Sequence, residues 1–254
     1  FNRLELLTRK MDRGGVILAV DVGTTALKMV AYDLKSTPRT QIIQDYEESK
    51  CSSKGMIDPE IWWSAFVKAF VKVLSEVENT SSKKVHIRAI TATGQMQNLI
   101  LLDSNLTPVA PAILYNDSRA KKEAEEVERS VGGAEAMRAM VGNWKGAFSI
   151  LPKAMWVQRN MGRAWEKTKH ILLGAHSYIA AKLSGVLSCD WTTAGTTGLL
   201  KAQSASKQGN SRVCDAREGV AKSGRIEAVV EEDTKAAAEG AVEGVVGGAV
   251  GRDV

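Results

Sequence analysis

The chain has 254 residues, a hydrophobic fraction of 44% and a formal net charge of +5, which suits one large globular domain or two small ones. Its basic residues are mixed with acids, as in "RAKKEAEEVER" (119–129), and no basic stripe with interleaved aromatics argues for a nucleic-acid partner. No run approaches the ~20 apolar residues of a membrane-spanning helix, and Cys51, Cys189 and Cys214 form neither a disulfide framework nor a zinc pattern, as in a reducing compartment.

Residues 1–14 are set apart as an N-terminal extension. "FNRLELLTRK" at its start is open to reading as the tail of a transit peptide, with Glu5 against it. The cytoplasm is the expected location, with a plastid or other organelle as the alternative. "ILAVDVGTTALKMVAYD" (17–33) then reads as a hairpin. Ile17, Leu18, Ala19 and Val20 have the apolar continuity of a strand buried on both faces. Asp21 closes that run and should face a cation, a metal or a water-filled cleft, because an unpaired buried carboxylate costs several kcal/mol. Gly23 allows a sharp turn and a close ligand, while Thr24 and Thr25 add hydroxyls beside free backbone N–H groups. The same spacing also suits an ordinary hairpin turn.

"TQIIQDYEE" (40–48) is expected to be a third strand, and Asp58-Pro59-Glu60 a helix start with proline at the first helical position. From Ile61 to Val77, apolar residues recur at helical spacing, and Trp62 and Trp63 read as packing residues. "VHIRAITAT" (85–93) reads as a strand ending at Gly94, and "NLILLD" and "APAILY" as apolar runs joined by a turn-rich link. Asp117 to about Val131 is a charged amphipathic helix, and helical patterns are expected to dominate from Ala134 to Leu183. Strands mixed with helices indicate an α/β domain over 15–200. Between Lys201 and Val254 there is no Leu, Phe, Trp or Tyr. That tail is expected to be disordered, since it cannot bury enough surface to offset ~1–2 kcal/mol per residue of backbone entropy.

Five segments lie in one order: Asp21-Val-Gly-Thr-Thr, "TATGQMQNLILLD", "PAILYNDSRA", "GNWKGAFSILPKAMWVQRN" and "GAHSYIAAKLSGVLSCDWTTAGTTGLL". Together they resemble the N-terminal domain of the FGGY family of carbohydrate kinases, xylulokinase-like members above all. The resemblance implies a ribonuclease H-like α/β fold of the actin and sugar-kinase type, with a mixed sheet and flanking helices. It implies ATP-dependent transfer of the γ-phosphoryl group to a sugar hydroxyl, with Mg²⁺. Asp21 then corresponds to the aspartate of the magnesium environment, and Gly23, Thr24 and Thr25 to the turn facing the ATP phosphates. Gln95, Met96 and Gln97 correspond to the first sugar-contact segment, and Asn116, Asp117 and Arg119 to the polar cluster after the next strand.

Departures from the pattern are specific. Met96-Gln97 stands where Met-His is common, and His176-Ser177-Tyr178 lacks the usual acid. Asp190 reads as a turn residue ahead of Trp191 rather than as a ligand. The family's catalytic base lies in a Gly-Asp-Asn or Gly-Asp-Gln motif, and neither occurs after Leu200. The chain is therefore expected to be a truncated or fragmentary kinase half, inactive alone and prone to self-association through its exposed cleft face. The rival expectation is a non-catalytic paralogue that binds a sugar or a partner. An actin-like or Hsp70-like ATPase is disfavoured by the sugar-contact segments. A small-molecule sugar is the expected partner, with no nucleic acid and no membrane.

Overall fold

The computed structural model describes residues 15–46, 55–80, 85–199 and 211–212. The expected N-terminal extension, Cys51, Cys214 and all of the 201–254 tail except Ser211 and Arg212 lie outside the described residues. In chain order come β1 (Val16–Val22), β2 (Ala26–Asp33), β3 (Pro38–Asp45), β4 (Met56–Ile57), α1 (Pro59–Thr80), β5 (Ile87–Gly94), β6 (Met96–Leu102) and β7 (Ala112–Ile113). They are followed by α2 (Lys121–Val131), α3 (Ala134–Val141), α4 (Ile150–Asn160), α5 (Gly162–Lys167), β8 (His170–Gly174), α6 (Ala175–Ser184), β9 (Ser188–Cys189) and α7 (Trp191–Gly195). Ser211–Arg212 pairs antiparallel with β9. These residues fall into two compact units, one within Phe1–Tyr46 and Ser64–Gly94, the other within Glu47–Trp63 and Gln95–Val254.

The first unit is built on a mixed sheet of order β3-β2-β1-β5. β1, β2 and β3 form the antiparallel meander read from the sequence, and β5 joins β1 in parallel. Val16, Leu18, Val20 and Val22 are buried, whereas Ile17, Ala19 and Asp21 are only half-buried. The expectation of burial on both faces is corrected here. Apolar Ile17 and Ala19 occupy the more open face, so the two-residue alternation is hidden in an almost wholly apolar run. Along the part of α1 in this unit, Phe66, Ala69, Val73 and Val77 form a buried stripe. Its polar side is tied to β3 by Lys72 Nζ donating to Gln44 Oε1 at 2.8 Å and by Thr40 Oγ1 donating to Glu76.

The second unit carries a four-stranded sheet of order β4-β7-β6-β8. One face holds a core of Leu99, Leu101, Ile113, Ile150, Ala154, Val157, Ile171 and Leu173. A second core joins Ala124, Val127, Met137, Val141, Trp144 and Leu151. Helices dominate from Ala134 to Leu183, as expected, but "HILLG" within that stretch forms β8 beside β6; a short apolar run does not reveal its period. One sequence expectation is corrected. The charged helix expected from Asp117 begins only at Lys121, because Asp117 and Arg119 turn their side chains on each other. Trp62 is fully buried and meets the Tyr178 ring edge-on at 6.5 Å, the packing role expected of it. Among the described residues, no helix is long and apolar enough to cross a membrane.

Candidate functional site

Asp21, Gly23, Thr24 and Thr25 lie in the first unit. The chain turns back between β1 and β2 with Gly23 N donating to Ala26 O at 3.1 Å. A Cβ at Gly23 would fall 2.8 Å from that same oxygen, so the turn itself requires glycine. Tyr46, buried beside the turn, donates its hydroxyl to Gly23 O at 2.9 Å. Thr24 and Thr25 are exposed at the tip. Asp21 sits in register with Lys28 on β2 and Thr93 on β5. Asp21 lines a shallow, mainly apolar hollow of about 240 Å³ on the sheet face, together with Ala19, Val20, Val30, Lys28, Gln41, Thr91 and Thr93. A half-buried carboxylate with hydroxyls nearby is a hard-oxygen donor set, the chemistry of Mg²⁺ sites that are completed by phosphate and water. Among the described residues, no cluster of three or more His, Cys, Asp or Glu side chains could hold a metal by itself.

Gln95, Met96, Gln97, Asn116, Asp117 and Arg119 lie in the second unit, on two segments that are bonded together. Met96 is 38% exposed at the start of β6. Gln97 adopts φ +62°, a left-handed conformation that L side chains rarely take. Asn98 is fully buried and accepts a hydrogen bond from Tyr115 N through its Oδ1 at 2.9 Å. Its Nδ2 is buried with no hydrogen-bond partner among the described residues. A buried donor in that state is costly unless a water or ligand oxygen meets it. Asn116 is exposed on the turn that follows β7.

Asp117 is 8% exposed and spends its carboxylate on Arg119. Arg119 Nε donates to Oδ1 at 2.8 Å and Nη2 to Oδ2 at 2.7 Å, and its backbone N also donates to Oδ1. Burial acts to raise the Asp117 carboxyl, but the Arg119 hydrogen bonds and charge outweigh it and hold it below the usual carboxylate range. The guanidinium lies over the Trp156 ring at 5.0 Å and donates to Met56 Sδ. This bidentate, stacked geometry is one that arginine provides and lysine does not. The pair thus braces the turn that presents Asn116.

Sequence reasoning missed Lys153. Its side chain is fully buried on α4, in the stripe of Ile150, Ala154 and Val157. Its Nζ donates to Leu114 O at 2.7 Å and to Gln97 O at 3.1 Å. Burial lowers its pKa to about 8, against the opposing attraction of Asp117. The signal was present in "SILPKAMWV": a lysine at a core position of an amphipathic helix is informative, because buried charges are paired or functional. Asp190, by contrast, is the N-cap of α7, accepting from Thr193 N at 2.8 Å and Thr193 Oγ1 at 2.7 Å. His176 Nε2 lies 3.5 Å from Asp190 Oδ2.

Residues 16–207 match the FGGY family of carbohydrate kinases, N-terminal domain. The chain is 28% identical over 201 residues to the xylulose kinase of Lactococcus lactis, covering 79% of this chain and 38% of that protein. It is 26% identical over 174 residues to the xylulose kinase of Staphylococcus xylosus, covering 66% of this chain and 34% of that protein. A crystal structure described as a xyloylose kinase from Brucella ovis superimposes with a TM-score of 0.62 at 27% identity, over 73% of this chain and 38% of that one. Plasmodium falciparum glycerol kinase with ADP shares the fold, with a TM-score of 0.66 at 20% identity over 77% of this chain and 39% of that one. The chain thus spans less than two-fifths of the length of these relatives. Its meander, its mixed sheet and the match over 16–207 agree, and the chain belongs to the FGGY family of carbohydrate kinases through that family's N-terminal domain.

Proposed function

We propose that this domain binds a ketose-like sugar on its Gln95–Gln97 and Asn116–Arg119 segments and presents the Asp21–Thr25 hairpin to the phosphates of ATP. The observation that carries the reading is the bonded junction of the two polar segments, in which buried Asn98 on β6 holds the turn that exposes Asn116. A sugar hydroxyl both donates and accepts, so a surface offering side-chain amides at strand ends suits it. Support for a ketopentose comes from the relatives, which are named xylulose kinases.

Phosphoryl transfer is carried mainly by positioning and charge neutralisation. Asp21 would hold the Mg²⁺ environment through its carboxylate, and Gly23, Thr24 and Thr25 would offer N–H and hydroxyl groups to phosphate oxygens. When bound, ATP and Mg²⁺ supply the phosphoryl group and the neutralising charge. The chain's own residues orient the sugar and hold the phosphate-facing turn in shape.

Calorimetric titration with D-xylulose, D-ribulose, gluconate and glycerol, beside a coupled ADP-release assay, tests the reading. D-xylulose is expected to bind. The 254-residue polypeptide is expected to release little sugar-dependent ADP, because it contains no Gly-Asp-Asn or Gly-Asp-Gln motif after Leu200 and a general base contributes about 10²–10⁴-fold. Absence of binding to every sugar would overturn the sugar site. Robust turnover that disappears in Asp21→Ala would overturn the expectation of inactivity.

A further inference from the structure

We propose that Lys153 is the positioning residue of the sugar site: by holding the Gln97 and Leu114 carbonyls at once, its ammonium fixes one contact segment against the other, and ligand affinity follows its protonation. This inference rests on the sugar reading above and adds to it a residue that touches no ligand.

The geometry is specific. Gln97 is the only residue of the first segment in a left-handed conformation, and the carbonyl that this conformation turns inward is the one Lys153 meets. Strained backbone persists where its surroundings over-determine it. Leu114 O accepts both Lys153 Nζ and the backbone N of Asp117 at 3.2 Å. The ammonium therefore sits beneath the turn that carries Tyr115 and Asn116. Asn98 supplies the second tie between the segments through Tyr115 N.

Lysine carries only donors when charged, and hydrogen bonds from a charged donor are about twice as strong as neutral ones. The neutral amine would hold the two carbonyls less firmly. The charged groups facing it are Asp117, which favours the ammonium, and Arg119, which disfavours it; β6 brings the neutral Gln97 carbonyl. Burial already brings its titration to about 8, so the switch lies within reach of ordinary buffers.

The test uses the 254-residue chain, its Lys153→Met and Lys153→Arg variants, and two measurements between pH 6.5 and 9.5. In the first, D-xylulose is titrated calorimetrically. Wild-type affinity is expected to fall about tenfold from pH 7 to pH 9, as the competent protonated fraction falls from about nine-tenths to about one-tenth. Lys153→Met should bind weakly and independently of pH. Lys153→Arg, always charged, should retain binding at pH 9.

In the second measurement, amide hydrogen exchange at Tyr115 and Asp117 is followed without sugar and corrected for intrinsic rates. Both amides should exchange about tenfold faster in Lys153→Met and in wild type above pH 8, and amides of β1 and β2 should not. Unchanged exchange at both amides, or a wild-type affinity flat from pH 7 to pH 9, would overturn the proposal. A wild-type chain that binds no sugar at any pH would sink the proposed function instead, while the exchange measurement still decides whether Lys153 fastens the segments. Should Lys153→Met fail to fold, the wild-type pH series and Lys153→Arg still decide the matter.

Discussion

Gly55 shows how much of the site depends on a residue with no side chain. Its φ is +84°, and a Cβ there would lie 1.9 Å from Asp117 Oδ2. It also accepts Leu114 N through its carbonyl at 2.9 Å, so it touches both the Lys153-bound turn and the Asp117–Arg119 pair. Gly55→Ala would add left-handed strain and push the carboxylate off Arg119. The expected loss is on the order of 3 kcal/mol, combining backbone strain with a damaged, partly buried ion pair. Urea denaturation followed by tryptophan fluorescence measures it, and a change below about 0.5 kcal/mol, the range of an ordinary surface substitution, would refute the account. The family resemblance singled out Asp117 and Arg119, because the order of motifs along the chain is visible in one dimension. It did not reach Gly55, because the clash that forbids a side chain there comes from a residue sixty-two positions away.

At the scale of the element, α7 depends on its cap. The helix spans only Trp191–Gly195, and Asp190 takes both the backbone N and the hydroxyl of Thr193. Burial acts to raise the Asp190 carboxyl, but the Thr193 hydrogen bonds, with His176 nearby, outweigh it and leave it below its ordinary value. A carboxyl whose folded pKa is depressed adds stability that is present above its unfolded pKa and lost as pH falls through the folded one. Asp190→Ala should therefore cost about 1 kcal/mol at pH 7, the usual value of a lost N-cap. The cost should shrink as pH drops below about 4, the unfolded aspartate value. Denaturant midpoints of the two proteins at pH 7 and pH 3 check this; a difference that persists undiminished at pH 3 would remove the charge from the explanation. The turn reading of Asp190 was close, since turn and N-cap share the same side-chain chemistry. β8 was not legible, because only pairing with β6 distinguishes its apolar run from helix.

For the whole molecule, all six tryptophans (62, 63, 144, 156, 165 and 191) fall within the second unit. Tryptophan fluorescence thus reports on one unit, while exchange of β1 and β2 amides reports on the other. Leu18 is fully buried in the first unit, and Leu18→Ala should destabilise it by about 2–5 kcal/mol. Faster exchange in β1 and β2 is expected to appear at denaturant concentrations where the fluorescence is still native. Coincident loss of both signals would mean that the chain unfolds as one cooperative body.

The sequence by itself determined the local and ordered features: the β1–β2 hairpin with Asp21 at its end, the start of α1 at Asp58-Pro59, the packing role of Trp62, and the family through five segments in order. Each depends on near neighbours or on chain order, which one dimension preserves. Tertiary structure decided which face of β1 is buried, where β8 pairs, and why Gly55 has no side chain. It also decided that Lys153, 39 residues beyond Leu114 and 56 beyond Gln97, meets both. The physical reason is that a buried cation is defined by its partners, and the carbonyls that keep Lys153 in the core are brought to it only by folding.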